Sequence, residues 1–296
     1  MANPPSRMKF EQNQPIPTTR RGQFKEKPQY LGMPLSAGCA TVSTGPARLP
    51  PPGGEALMGR IVTFADLSYR EAAPGVKRAP ITGAEMKEMA AEVIRLGPGV
   101  RLTESVPAGA DRYLFTLTGG ATVGALGASH AMTEESFATI QEGTEFTVSN
   151  PSNAEAALVS VLTPPPGNPA ARAGFSAGLT AAARAMTGVH DIPAEKKRRI
   201  YFVGHGAAHS ERAHAMIVEY VRDTVTGLHM HPNAESMFVL LSGRTRFTVN
   251  GEDVIVGRGQ ATVFPMGDRH GLRVAEGDGV SFLEFHIPAG YTTVRG

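Results

Sequence analysis

The chain has 296 residues, enough for one large core or two ordinary ones, and its 29 Lys and Arg against 27 Asp and Glu leave a formal charge of +2. That balance argues against a broad nucleic-acid footprint, which needs a concentrated basic face. A single cysteine, Cys39, excludes an internal disulfide, and no apolar run is long enough to span a bilayer.

Residues 1–30 are polar, Pro-rich and basic, and predict an arm laid over a neighbour or free in solution. They lack the apolar centre of a signal peptide, so a cytoplasmic protein is expected. Cys39 sits in Ala-Gly-Cys-Ala with no thiolate-stabilising partner, which predicts a small packed residue. Leu49-Pro-Pro-Pro-Gly-Gly54 breaks the chain, and Arg60-Ile-Val-Thr-Phe64 reads as a first strand. Thr82-Gly-Ala-Glu85 has the form of a capping box and predicts a short helix through Met89.

From Ala91 the texture is that of short strands. Glu92–Leu96 and Val100–Glu104 flank a Gly-Pro-Gly turn, and Arg112–Thr118, Phe137–Ile140 and Ala156–Leu162 follow. Residues 168–200 read as a connector, with Ala-rich Ala171–Met186 predicting a short helix that Gly174 and Gly178 weaken. The basic run Lys196–Arg199 predicts a solvated surface segment. Strands then resume over Arg199–Val203, Ala215–Arg222, Phe238–Leu241, Arg244–Val249, Asp253–Val256, Ala261–Phe264 and Val280–His286, with Asn250-Gly251 as a two-residue hairpin turn. With 34 Gly, 23 Pro and no Trp, the composition fits an all-β chain of short strands and tight turns.

The halves repeat weakly. Arg112–Gly119 aligns under Ser236–Gly243, which puts Asp111 under Glu235, Ser105 under His229 and Pro107 under His231. Glu135–Gly143 aligns under Gly259–Gly267 and puts Phe146 under His270. The strand texture repeats and the ligand residues do not. Ser, Pro, Asp and Phe together cannot hold a divalent ion in the usual way.

The chemistry concentrates in Gly227–Gly243 and Gly259–His270. Residues two apart on a strand share a face, so His229 and His231 point together, Glu235 can join them across the Pro232-Asn233 bend, and a returning strand can bring His270. Three imidazoles and a carboxylate suit one divalent transition metal, Fe or Mn first, with Ni, Co, Cu or Zn also served. On an octahedral ion this set leaves two positions open. A lone His is more often core or surface, but the four residues in this spacing outweigh that reading. Pocket candidates beside them are Tyr220, Arg246, Glu284 and His286, each weighed against an ordinary exposed strand face. Arg244 shares the face of Arg246. His205, His209 and His214 lie close together but have no carboxylate near them, and are read as a loop.

These residues resemble the two signature motifs of the cupin superfamily. His229, His231 and Glu235 match the first, whose closing Gly falls one position late at Gly243; Gly259, Pro265, Gly267 and His270 match the second in full. The resemblance implies two jelly-roll barrels joined by a short helical connector. It divides the chain into an arm with leading strands (1–60), a degenerate first cupin (61–167), a connector (168–200) and a metal-binding second cupin (201–296). A degenerate barrel before a metal-bearing one is similar to the (S)-ureidoglycine aminohydrolase family of manganese enzymes, whereas the ligand motif is closer to bicupin ring-cleaving dioxygenases.

The expectation is therefore a metal-dependent enzyme acting on a small polar organic molecule, first an oxygenase using a three-His, one-Glu centre. A non-redox hydrolase, isomerase or decarboxylase, and a ligand-binding cupin without turnover, are the alternatives. A small-molecule substrate and a homodimer are expected, without nucleic acid or membrane.

Overall fold

The computed structural model describes residues 58–168 and 171–296. Cys39 and residues 1–57 of the arm lie outside them. The chain alternates strands with tight turns from β1 (Arg60–Thr63) onward. Next come β2 (Arg70–Ala73), β3 (Val76–Pro80), β4 (Ala90–Leu96), β5 (Arg101–Ser105), β6 (Asp111–Thr118) and β7 (Ala121–Ala125). Then follow β8 (Ala128–Met132), β9 (Ser136–Ile140), β10 (Glu145–Ser149), β11 (Ala156–Thr163) and β12 (Leu179–Ala183). The second half contributes β13 (Val189–Ile192), β14 (Lys197–Val203), β15 (His214–Val221), β16 (Val225–Met230) and β17 (Glu235–Val249). It ends with β18 (Glu252–Gly257), β19 (Gln260–Phe264), β20 (His270–Ile287) and β21 (Val294–Arg295).

Among the described residues every ladder between named strands is antiparallel. The first half forms a seven-stranded sheet, ordered β12-β9-β6-β11-β4-β3-β2, and a four-stranded sheet, β5-β10-β7-β8. The second half is one ten-stranded sheet along β1-β19-β17-β20-β15-β14-β13, with β16, β18 and β21 attached at its sides. Its long strands β17 and β20 turn the barrel corner where their register shifts, between Leu240 and Thr245. Gly243 sits in that bend with φ +72°, and a side chain there would run into the Gly279 carbonyl. One strand crosses between the halves: β1 pairs with β19 of the ten-stranded sheet, while the connector's β12 pairs with β9 of the seven-stranded sheet.

Strand alternation sorts the side chains into three cores. Leu114 of β6 enters the first barrel, while Tyr113 and Phe115 join a central cluster between the halves. On β17, Phe238 and Leu240 fill the second barrel, and Met237, Val239 and Leu241 face the central cluster. Phe137 stacks on Phe202 there at 4.7 Å, tying β9 to β14. Burying each such aromatic contributes roughly 1.5–3 kcal/mol, so this middle layer holds the halves together.

Two local expectations give way to tertiary pairing. Thr82–Met89 forms no helix: the Glu85 carboxylate accepts the Gly83 N–H at 2.9 Å and pairs with Arg60 at 2.9 Å, so it is not free to close a capping box. The connector is not helical either. Its Ala-rich part extends as β12 because the open edge of β9 offers a ladder, and the only helical turns are single 3-10 turns at Arg184–Met186 and Pro193–Glu195. Among the described residues no helix is long and apolar enough to cross a membrane.

Candidate metal centre

His229 lies near the end of β16, His270 opens β20, and the two residues are direct partners across the ladder. His231 follows β16 by one residue and shares the His229 face. The loop before His270 is pinned by a bond from the Gly267 N–H to the His231 carbonyl, 2.8 Å long. The three rings lie 4.4 to 5.4 Å apart by centroid, and their ligand atoms fall within 4.8 Å of one another. This is the one such group of three among the described residues.

Each ring is oriented by its Nδ1. His229 Nδ1 meets the Gly227 carbonyl at 2.9 Å, His231 Nδ1 the Thr292 carbonyl at 2.8 Å, and His270 Nδ1 the Asp268 carbonyl at 3.2 Å. A carbonyl only accepts, so each Nδ1 carries the proton and each Nε2 presents a lone pair. His231 Nε2 and His270 Nε2 are buried without any hydrogen-bond partner. Burial lowers all three imidazoles, His231 to about 4 with His286 adding to the effect, and His270 well below the usual value with His229 and His231 adding. Three neutral rings with fixed tautomers and orphaned lone pairs facing one small space fit a divalent ion.

Asn233 supports this arrangement from the loop. Its Oδ1 accepts the Thr292 N–H at 2.8 Å and its Nδ2 donates to the Gly290 carbonyl at 2.9 Å. That bond pair holds the segment whose Thr292 carbonyl orients His231. Phe264 stacks on His270 at 4.2 Å and keeps water from that ring.

Glu235 is not brought into the group. Its carboxylate faces the first half and accepts the backbone N–H of Lys87 and of Met89, the latter at 3.1 Å. Burial pushes it up to about 7, against the opposing effect of those bonds. The cause is strand parity: Glu235 pairs with Ile287 and shares the outward face of Met237, so Ser236 takes the inward place. Counted back from Gly243, the closing Gly of the first motif, Ser236 is the position where a ligand carboxylate is expected. The one-residue displacement of Gly243 was the signal for this.

Ser236 Oγ meets His286 Nδ1 at 3.0 Å, and His286 Nε2 meets Glu284 Oε1 at 2.6 Å. Burial alone would raise the Glu284 carboxyl, but His286 and Arg199 hold it down at about 2. The His286 ring lies 4.5 Å from His231, and Tyr291 stacks on it at 4.0 Å. A cavity of about 100 Å³ faces His229 and His231, with Tyr220, Glu284 and His286 on its wall. Arg246 is not on that wall; it stands on the face of its strand opposite Phe247, which is buried in the barrel.

The basic run expected to be solvated is split by alternation. Lys197, Arg199 and Tyr201 face inward opposite Tyr220, Val218 and Met216, and Lys197 and Arg199 line the cavity. Lys196 and Arg198 are exposed, Arg198 on the face of Asp191 and Glu219. His214, expected in a loop, is buried on β15, 6.4 Å from His286.

In the first barrel the corresponding space is filled. Phe146 is buried in its core, and Arg112, aligned with Ser236, donates to Ser160 Oγ at 2.7 Å beside the Arg78–Glu92 pair.

The cupin domain family matches residues 216–286. That match lies within the second half, and the structure has two barrels. The chain has a two-barrel cupin fold. Ylba of E. coli superposes on it with a TM-score of 0.62 at 12% identity, over 78% of the chain and 90% of its own length. Oxalate decarboxylase of Lactobacillus farciminis follows with 0.60 at 14%, over 82% and 89%. A variant of the Bacillus subtilis oxalate decarboxylase gives 0.61 at 15%, over 82% and 80%. At these identities the likeness establishes the fold. No curated protein matches the sequence.

Proposed function

We propose that the second barrel of this chain is a mononuclear metal site of an enzyme acting on a small polar organic molecule, with an oxygenase as the first reading. The observation that carries it is the trio of imidazoles with every Nδ1 committed to a carbonyl and the Nε2 atoms left over. His229, His231 and His270 would hold the ion, Fe or Mn by preference, with Ni, Co, Cu or Zn accommodated by the same donors. When bound, the ion supplies Lewis acidity and open coordination positions. The proposed set omits Glu235, which is engaged with backbone amides on the other face.

The protein's own groups supply the rest. The cavity of about 100 Å³ has room for about three waters and suits the reacting end of a small molecule. Tyr291 covers His286, and Phe238 packs beneath both His270 and His286, so this wall excludes water. His286 Nε2 donates to the Glu284 carboxylate across a 2.6 Å contact at the cavity wall. That pair favours a second reading, a non-redox hydrolase, isomerase or decarboxylase using acid-base chemistry. The first barrel, its interior closed, serves in this proposal as a structural half, and the unpaired edges of β8 and β13 leave room for a homodimer.

The deciding experiment is turnover of a panel of small hydroxy, keto and ureido acids by metal-reconstituted protein, with and without dioxygen. Oxygen uptake matched to substrate loss supports the oxygenase. Equal turnover under anaerobic conditions removes it and leaves the non-redox enzyme, and binding without any turnover would point to a sensor.

A further inference from the structure

We infer that the substrate is a short-chain carboxylate, and that Arg199 is the residue that selects it by taking its carboxylate end. The inference deepens the metal-site reading by naming the ligand class, and it rests on that reading for the location of the site.

Among the described residues Arg199 has more donors than partners. Its Nη1 reaches Tyr201 Oη only at 3.4 Å, its Nη2 lies 3.8 Å from Glu195, and its Nε is buried with no hydrogen-bond partner among them. A guanidinium carries five N–H donors in a planar fork, and a fork left this open inside a barrel is matched by a two-oxygen acceptor. Strand parity aims it at the cavity, since Arg199 pairs with Val218 on β15 and both line the wall.

The surroundings point the same way. Lys197, only 9% exposed, lies on the same face of β14, its Nζ 3.1 Å from Glu195 and 5.1 Å over the Tyr220 ring. Arg295 of β21 reaches the same wall, next to His229 across the ladder. Three cations thus meet two carboxylates at the wall, Glu195 and Glu284. Glu284 is already committed to His286, and Glu195 divides its oxygen between Lys197 and Arg199.

The path inward crosses the same cations. Glu195, Lys197, Thr226 and Arg295 line both the inner cavity and an outer hollow of about 410 Å³. A ligand coming from that hollow passes Lys197 and Arg295 before it meets Arg199. A carboxylate fits the fork, and the opposite end of a short molecule then lies toward His229 and His231. A neutral amide of equal size offers the fork one acceptor oxygen in place of two.

Calorimetric titration of metal-loaded protein with glycolate and with glycolamide tests this, on wild type, Arg199→Gln, Arg199→Lys and Arg246→Gln, with metal content measured on every sample. Glycolate is expected to bind wild type at least about tenfold more tightly than glycolamide. Arg199→Gln is expected to abolish that preference at unchanged metal content, Arg199→Lys to restore part of it, and Arg246→Gln to keep all of it. Equal binding of glycolate and glycolamide by wild type, or an undiminished preference in Arg199→Gln, overturns the inference. Wild-type protein that takes up no metal yet prefers glycolate through Arg199 overturns the proposed function and supports the inference.

Discussion

Glu235 and Asp111 are mirror images in role. Each opens the strand that leads its half of the repeat, each faces away from its own barrel, and each grips the segment that feeds a strand of the other half. Glu235 accepts the N–H groups of Lys87 and Met89, just before β4. Asp111 accepts from Ser210 at 2.6 Å and pairs with Arg212 at 2.9 Å, just before β15. The single Phe175 N–H also donates to Asp111, shared between its two oxygens at 3.2 and 3.0 Å. The motif position read as a metal ligand is thus one arm of a two-way brace.

The brace separates two outcomes for Glu235→Gln. If Glu235 served as a ligand, the variant would lose metal. With the brace it keeps wild-type metal content, measured by elemental analysis, and loses about 1 kcal/mol at pH 5 for one backbone bond. Asp111→Ala removes the fully buried carboxylate from Arg212 Nη1 and leaves that side chain only the more exposed Glu142 carboxylate at 3.2 Å, and is expected to cost about 3 kcal/mol in denaturant unfolding.

The same residue carries a pH dependence. Its carboxyl lies near 4.5 in the unfolded chain and at about 7 in the fold. The folded state then holds the proton more tightly, so the contribution is full below pH 4.5 and is lost as pH rises through 7. The span is on the order of 3 kcal/mol. Unfolding curves of wild type and Glu235→Gln from pH 5 to 8 are expected to converge or cross as pH rises. Parallel curves would remove the assignment.

What the sequence disclosed was what local spacing fixes. His229, His231 and His270 were legible because a two-residue period and a Pro-x-Gly-x-x-His loop are local geometry. Glu235 was misplaced because the Pro232-Asn233 bend resets strand parity, which spacing alone does not report; the late Gly243 was the available signal. Helical residues 171–186 were expected on composition, but β9 had an open edge whose ladder outweighed the Ala propensity. Lys197 and Arg199 were readable as inward by alternation, had the strand been started two residues earlier.

Metal binding should depend on each histidine. His229→Ala and His270→Ala are expected to weaken affinity by more than about 100-fold, beyond the roughly 10- to 100-fold typical of an orienting partner. Wild-type protein at an ion concentration of 100 times Kd should gain about 2.7 kcal/mol in stability, and a chelator should remove the gain. A double variant that retains full metal occupancy would refute the site.

Asn233 gives the sharpest test of how the site is held, because it contacts no ligand nitrogen. Its amide fixes Gly290 and Thr292, and the Thr292 carbonyl in turn fixes His231 Nδ1. Asn233→Ala frees that segment, so His231 loses its enforced tautomer and its ring direction while its Nε2 stays chemically intact. Metal affinity is expected to fall about 10- to 100-fold. The cost in stability should be only about 1–2 kcal/mol, because Asn233 is exposed and its bonds compete with water. Asn233→Asp keeps the acceptor for the Thr292 N–H and loses the donor to Gly290, so it should recover part of the affinity. An Asn233→Ala protein that binds metal as wild type does would mean that His231 is held by the barrel wall alone.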